Sequence, residues 1–191
     1  MPTRILTLSS LLCFTFLLFC CKKDSEAEKE SPFFEFFKES SIIIDTVEQA
    51  VDSWEYGFTF TPLKDGKITQ LGIKLPATGN FTATLWDLSG PTPAPLRSKT
   101  VQSATPHQNA FIDIPEIAVQ KGVQYGLTVL ADAFYRLTKS DNSQFIFPKT
   151  VGNISIESFN ESINNSSLGT FPPTPNTTRV APCVNVIFIA D

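Results

Sequence analysis

The chain has 191 residues, and its 15 basic and 19 acidic side chains give a formal net charge of −4. This balance argues against nucleic-acid binding, which usually requires a basic face. Only 18% of the residues are charged, whereas Phe (17) and Pro (14) are frequent, a usage typical of an extracytoplasmic β-sandwich and unlike that of a helical bundle.

The amino terminus has the features of a secretory signal peptide. Arg4 supplies a positive charge, and an apolar run from Ile5 to Phe19 follows it. The run is about 15 residues long, shorter than the roughly 20 that a membrane-spanning helix needs. A cleaved signal is therefore favoured over a single-pass anchor.

Two adjacent cysteines end the apolar run, and they resemble the lipobox of bacterial lipoproteins. With Cys21 as the lipid acceptor, Leu18 stands at −3 and the small residue Cys20 at −1. The alternative acceptor, Cys20, would place bulky Phe19 at −1. Phe19 at −2 departs from the strict enterobacterial pattern and resembles the looser, Bacteroidetes-type lipobox. We therefore predict lipidation at Cys21, a membrane anchor and a cell-envelope location, at the outer membrane and facing the periplasm or the surface.

Three regions follow from these signals. Residues 1–20 are the predicted lipoprotein signal peptide, and residues 21–31 combine the lipidated cysteine with a charged tether that has too few apolar residues to pack. Residues 32–191 are the predicted β-sandwich domain, which is long enough for a sizeable core. A Phe-rich segment at its start fits either a short helix or a strand.

Period-two alternation predicts strands through the rest of the chain. It is clearest where Trp54, Tyr56, Phe58 and Phe60 share one parity and therefore one face. The other predicted strands cover 42–47, 68–75, 81–87, 96–102, 110–114, 123–129, 134–137, 145–147, 154–159 and 184–190. The last is apolar on both faces, as expected in the middle of a sheet, and 162–178 is predicted as a long loop. The pattern predicts an all-β fold, an antiparallel two-sheet sandwich or jelly roll, with an up-and-down barrel as the alternative.

Four segments resemble, in order and spacing, a bacterial family of extracellular domains of unknown function that occurs beside carbohydrate-related modules. They are WEYGFTFTP at 54–62, GKITQLGI at 66–73, FTATLWD at 81–87 and VQKGVQY at 119–125. The likeness spans roughly residues 48–137, and it implies a β-sandwich without an established activity.

No catalytic constellation is predicted. His107, the one histidine, lies in a polar loop, where a solvated side chain is expected. Cys183 is expected to be a buried small apolar residue, alone once the signal is removed, so that no internal disulfide forms. No metal site or cofactor is predicted. The acids considered as glycosidase-like pairs are Asp87, Asp113, Glu116, Asp132, Asp141 and Glu157, and the sequence pairs none of them.

Aromatic side chains are the remaining indication of ligand binding, since flat rings stack on sugars. Trp86, Phe134 and Tyr135 are the candidates, with core packing as the alternative for each. The first functional hypothesis is a non-catalytic binding domain for a polysaccharide or another extracellular ligand. The second is a structural or assembly lipoprotein that docks an envelope protein, and the third is a hydrolase acting on carbohydrate.

Overall fold

The computed structural model describes residues 28–35, 42–48, 52–162 and 169–191, without the side chains of 46–48. The predicted signal peptide, Cys20, Cys21 and most of the tether lie outside these residues. The elements, in chain order, are β1(Lys29–Glu30), α1(Pro32–Glu35), β2(Ile42–Glu48), β3(Trp54–Pro62), β4(Gly66–Lys74), β5(Gly79–Asp87), β6(Ala94–Ser103), β7(Asn109–Val119), β8(Tyr125–Ala131), β9(Ala133–Lys139), β10(Lys149–Val151), β11(Ile154–Glu161), β12(Thr174–Pro175) and β13(Val184–Ala190).

The strands form two main sheets in which the neighbouring strands are antiparallel. The small sheet has the order β1-β13-β4-β7, and the large sheet has the order β10-β11-β3-β8-β5-β6, with β12 paired to β11. Strands β2 and β9 form a third, two-stranded sheet. The predicted all-β sandwich is confirmed, and the barrel alternative is wrong because the sheets end in separate edges.

The core lies between the two main sheets. The parity predicted for β3 is confirmed, because Tyr56, Phe58 and Phe60 are buried and Trp54 is partly buried. The predicted central position of β13 is also confirmed: the strand lies between β1 and β4. Burial of these apolar faces is the main favourable term in the folding of a sandwich without a disulfide.

Helix α1 closes one side of this core. Its Phe33 is fully buried, with its ring centroid 5.1 Å from that of Phe58 and 5.4 Å from that of Phe60. The buried side chain of Asn185 on β13 holds the helix, since its Oδ1 accepts a hydrogen bond from Phe33 N (3.2 Å). Its Nδ2 donates to Ser31 Oγ, so both ends of a buried amide are satisfied, as burial of a polar group requires. The Phe-rich segment is therefore helical through residue 35, and its last two phenylalanines lie outside the described residues.

Two predicted strands differ from the structure. Strand β7 continues through Pro115 to Val119, which is allowed because β7 is an edge strand and needs no amide donor on its open side. The strand predicted over 145–147 is wrong. Phe145 N donates instead to the loop carbonyl of Thr177 (2.7 Å), and pairing begins only at Lys149. None of the helices in the described segments is long and apolar enough to cross a membrane.

Candidate functional site

A small cleft opens where four distant parts of the chain meet. Its lining residues are Trp54, Tyr56, Phe134, Glu161, Arg179 and Ala181. They come from the start of β3, from β9, from the end of β11 and from the segment that leads into β13. The cleft has a volume of about 40 Å³.

Aromatic side chains form the floor and one wall of the cleft. Tyr56 is buried, and its ring centroid lies 5.5 Å from that of Phe134. The Tyr56 hydroxyl donates to the carbonyl of Ala133 (3.4 Å). Burial raises the pKa of Tyr56 well above its usual value. Trp54 and Phe134 are only partly buried, and they give the cleft an accessible apolar surface.

An ion pair forms the polar wall of the cleft. The Arg179 guanidinium contacts the Glu161 carboxylate through Nη2 (2.6 Å to Oε1) and Nε (3.2 Å to Oε1 and 3.3 Å to Oε2). Asn176 Nδ2 also donates to Glu161 Oε1 (2.9 Å), while its Oδ1 accepts from Arg179 N (3.1 Å). This network fixes the orientation of the pair, because bidentate Arg–carboxylate contacts are geometrically specific.

Phe134 is the predicted ligand-binding residue that the structure places in this cleft. Strand β9 positions it, and its register partner is Val47 of β2. The other lining residues are not predicted as ligand-binding residues by the sequence. Parity places Trp54 on the same face of β3 as Phe58, yet as the first residue of the strand it is only partly covered.

Trp86 does not offer the accessible ring that stacking on a sugar requires. It lies on the outer face of the large sheet, as its parity predicts, but it is 3% exposed. The ring of Phe171 covers it at a centroid distance of 6.1 Å, and its Nε1 donates to Thr128 Oγ1 (2.8 Å). The packing alternative therefore holds for Trp86, because a segment from the long loop packs over this face.

Tyr135 is also buried, at 8% exposure. Its backbone N–H donates to Cys183 Sγ (3.3 Å), and its hydroxyl lies 2.7 Å from His107 Nδ1. His107 is an exposed loop residue, as predicted, although it is bonded to Tyr135. The free thiol of Cys183 is fully buried, as predicted, and burial raises its pKa to about 12. Hydrogen bonds join these three residues, and the Tyr135 ring and the Cys183 thiol are buried.

Four of the six acids that the sequence offered as catalytic pairs have structural contacts. Asp113 accepts a hydrogen bond from Gln70 Nε2 (2.6 Å), and Glu116 pairs with Lys67 (2.7 Å). Asp87 and Asp141 each accept a hydrogen bond from the backbone N–H two residues on, at 2.8 and 2.9 Å. Hydrogen bonds from the side chains of Ser89 and Ser143, and then from their backbone, lower the pKa of the two carboxyl groups. Within the described segments, no group of three or more His, Cys, Asp or Glu residues could hold a metal ion.

The burial of one carboxyl group is not predicted from the sequence. Glu55 lies on the outer face of β3 and is only 3% exposed. The Thr128 hydroxyl donates to it, and a further hydrogen bond comes from the backbone of Gly169. Burial raises the pKa of Glu55, and the two hydrogen bonds partly offset the effect.

No protein-family model matches the chain, and no curated protein shows significant similarity to it.

Proposed function

We propose that the chain is a membrane-anchored lipoprotein of the cell envelope whose sandwich domain binds a glycan without catalysing a reaction. The observation that carries the binding proposal is the cleft, where the partly exposed rings of Trp54 and Phe134 face a fixed Arg179–Glu161 pair. Apolar faces beside a few oriented polar groups are the usual composition of a small-ligand site.

The ion pair supports binding better than catalysis. Both carboxylate oxygens of Glu161 accept hydrogen bonds from Arg179, and Asn176 adds another. A general acid must instead be free to give its proton to a substrate within hydrogen-bond reach. Glu161 is therefore best suited to orient Arg179 and to accept bonds from a ligand.

The anchor supports an envelope role. A diacylated or triacylated Cys21 would hold the protein at a membrane by its lipid chains, because more than one chain is needed for stable anchoring. The charged residues between Cys21 and β1 would then separate the lipid from the domain, whereas Lys29 and Glu30 at the end of the predicted tether pair with β13. The sandwich is left free to present its cleft to an extracellular ligand.

A glycan array probed with residues 28–191 tests this function. We expect at least one polysaccharide to bind, and Trp54→Ala and Phe134→Ala to weaken its binding about tenfold or more, since loss of an aromatic contact costs roughly 1–3 kcal/mol. Phe111→Ala is the matched control, because Phe111 is 36% exposed on the edge strand of the other sheet. Failure to bind any glycan contradicts the proposal, as does an equal loss in the control.

A second function, docking of an envelope protein, is supported by strand β2. Its outer edge has no partner strand among the described residues. Ile43 and Ile44 point to opposite faces and are 49% and 65% exposed. An open, β-branched edge is a template for an added strand. The exposed Asp45 and the net charge of −4 favour an extended basic segment of another protein over a second copy of this chain.

Cross-linking in intact membranes tests the docking function. A protein captured by the parent lipoprotein should be lost with Ile44→Lys and retained with the control Leu63→Lys, which changes a 40% exposed leucine in a turn outside β2. A free monomer in mild detergent, or a cross-linked homodimer, contradicts this function.

A further inference from the structure

We propose that the cleft takes the acetamido group of an N-acetylated sugar, an inference that rests on the glycan-binding function. The cleft volume of about 40 Å³ is too small for a sugar ring. A cavity needs a volume of roughly 10–15 Å³ to hold one water molecule, so the cleft has room for about three. An acetyl group has about this size, and the rest of the sugar would lie outside the mouth against Trp54 and Phe134.

The apolar lining selects a methyl group over a hydroxyl. The apolar part of the lining consists of Trp54, Tyr56, Phe134 and Ala181. The Tyr56 hydroxyl is already bonded to Ala133 O, so it offers no donor to the cleft. A sugar hydroxyl placed here would lose its water without gaining a partner, which is unfavourable, whereas an acetyl methyl gains from burial.

The polar wall complements the remaining atoms of an acetamide. A guanidinium has five N–H donors, and Arg179 uses only Nε and Nη2 on Glu161. Its Nη1 is thus available to donate to the acetyl carbonyl. Glu161 Oε2 accepts one long bond, from Arg179 Nε (3.3 Å), and can accept another from the acetamido N–H. One donor and one acceptor are what an amide requires.

The charge of the wall disfavours acidic sugars. Glu161 is less exposed than Arg179, with side-chain exposures of 13% and 38%, and it already neutralises the guanidinium. A uronate carboxylate in the cleft would lie beside the Glu161 carboxylate and meet a like charge. A neutral N-acetylated sugar does not meet this repulsion.

Residues 28–191 are titrated calorimetrically with the β-1,4-linked trimer of N-acetylglucosamine and, as the matched comparison, with the β-1,4-linked trimer of glucose. We expect about tenfold tighter binding of the acetylated trimer, the combined effect of one buried methyl group and one hydrogen bond. Saturation-transfer NMR on the unmodified domain should place the strongest signal on the acetyl methyl protons. Ala181→Leu, which fills the cleft, should abolish the preference, while Phe111→Ala should preserve it.

The outcomes separate this inference from the proposed function. Equal binding of the two trimers, or saturation centred on the ring protons, overturns the acetamido inference and leaves glycan binding intact. Binding of neither trimer, while another glycan on the array binds, has the same meaning. Absence of binding to every glycan overturns both. The NMR measurement decides the question even if Ala181→Leu does not fold.

Discussion

Glu55 is the residue whose environment departs most from the one usual for its residue type. A Glu on the outer face of a sheet is usually solvated, yet Glu55 is buried beneath the segment that contains Gly169. Thr128 donates to it and accepts in turn from Trp86 Nε1. The group is hydrogen-bonded, as buried polar groups must be, but it still bears the cost of losing its water.

This burial predicts a pH-dependent stability. Because the pKa of Glu55 is raised above 4.5 in the folded chain, the folded state keeps a proton at pH values where the unfolded state has released it. Its contribution to stability is therefore full below about pH 4.5 and is lost as the pH rises through the folded pKa. Glu55→Gln keeps an oxygen acceptor and removes the charge. At pH 7 we expect the free energy of unfolding of the variant to exceed that of the parent by about 1 kcal/mol, so that the variant unfolds at a higher urea concentration. Near pH 4 the two proteins should unfold at a similar urea concentration.

Glu116→Gln is the control for this measurement. Glu116 forms an exposed ion pair with Lys67, and such surface changes are usually within about 0.5 kcal/mol. Parallel stability curves for the parent and Glu55→Gln between pH 4 and 7 would contradict the predicted role of burial.

For single residues, the face of the sheet to which a side chain points could be predicted from the sequence. Whether another segment of the chain packs over that face could not. The parity of β5 correctly places Trp86 on the face opposite Leu85. Whether that face is wet depends on Phe171, a residue far along the chain in a segment with no periodic pattern. Parity is a local property of the strand, whereas cover is decided by a tertiary contact.

At the scale of elements, the segment after β11 has the composition of a loop, and it packs over the outer face of the large sheet. Its Phe171 ring packs over Trp86, and Gly126 makes room for that ring. A Cβ on Gly126 would lie 2.3 Å from Phe171 Cε2, a distance that real Cβ atoms do not tolerate. A glycine in β8 is thus explained by the close approach of another part of the chain.

Removing the cover should expose the tryptophan. In a Trp54→Phe background, where Trp86 is the one remaining tryptophan, Phe171→Ala should shift the emission to longer wavelength. It should also lower the free energy of unfolding by about 1–3 kcal/mol, less than a fully buried Phe→Ala change, because Phe171 is only partly buried. Gly126→Ala should shift the emission in the same direction by displacing the ring. Unchanged emission in both variants, or an equal shift in Phe111→Ala, would contradict this role.

At the scale of the whole molecule, the sandwich could be predicted because each strand carries its own period-two pattern, as Tyr56, Phe58 and Phe60 show. The cleft could not. Its walls come from β3, β9, β11 and residues 179–181, and no local pattern brings Trp54 beside Arg179. The family resemblance covers roughly residues 48–137, which leaves out Glu161 and Arg179. It stays a prediction, as does the glycan that it suggests.

The proposed anchor would determine where the whole molecule acts, and its predicted lipid acceptor is one of two adjacent cysteines. If the peptidase cuts after Cys20, the mature chain begins at Cys21, and mass spectrometry of its first peptide should show a lipid-modified Cys21. Cys21→Ala should then release the protein into the soluble fraction, because the domain would lose the acyl chains that hold it to the bilayer. Cys20→Ala should leave the protein in membranes, since it keeps a small residue before the cut. Cys183→Ala is the control, because that thiol is buried in the core. A first peptide that begins at Cys20 would place the lipidation site one residue upstream. Membrane retention of Cys21→Ala would show that lipidation of Cys21 does not hold the protein to the bilayer.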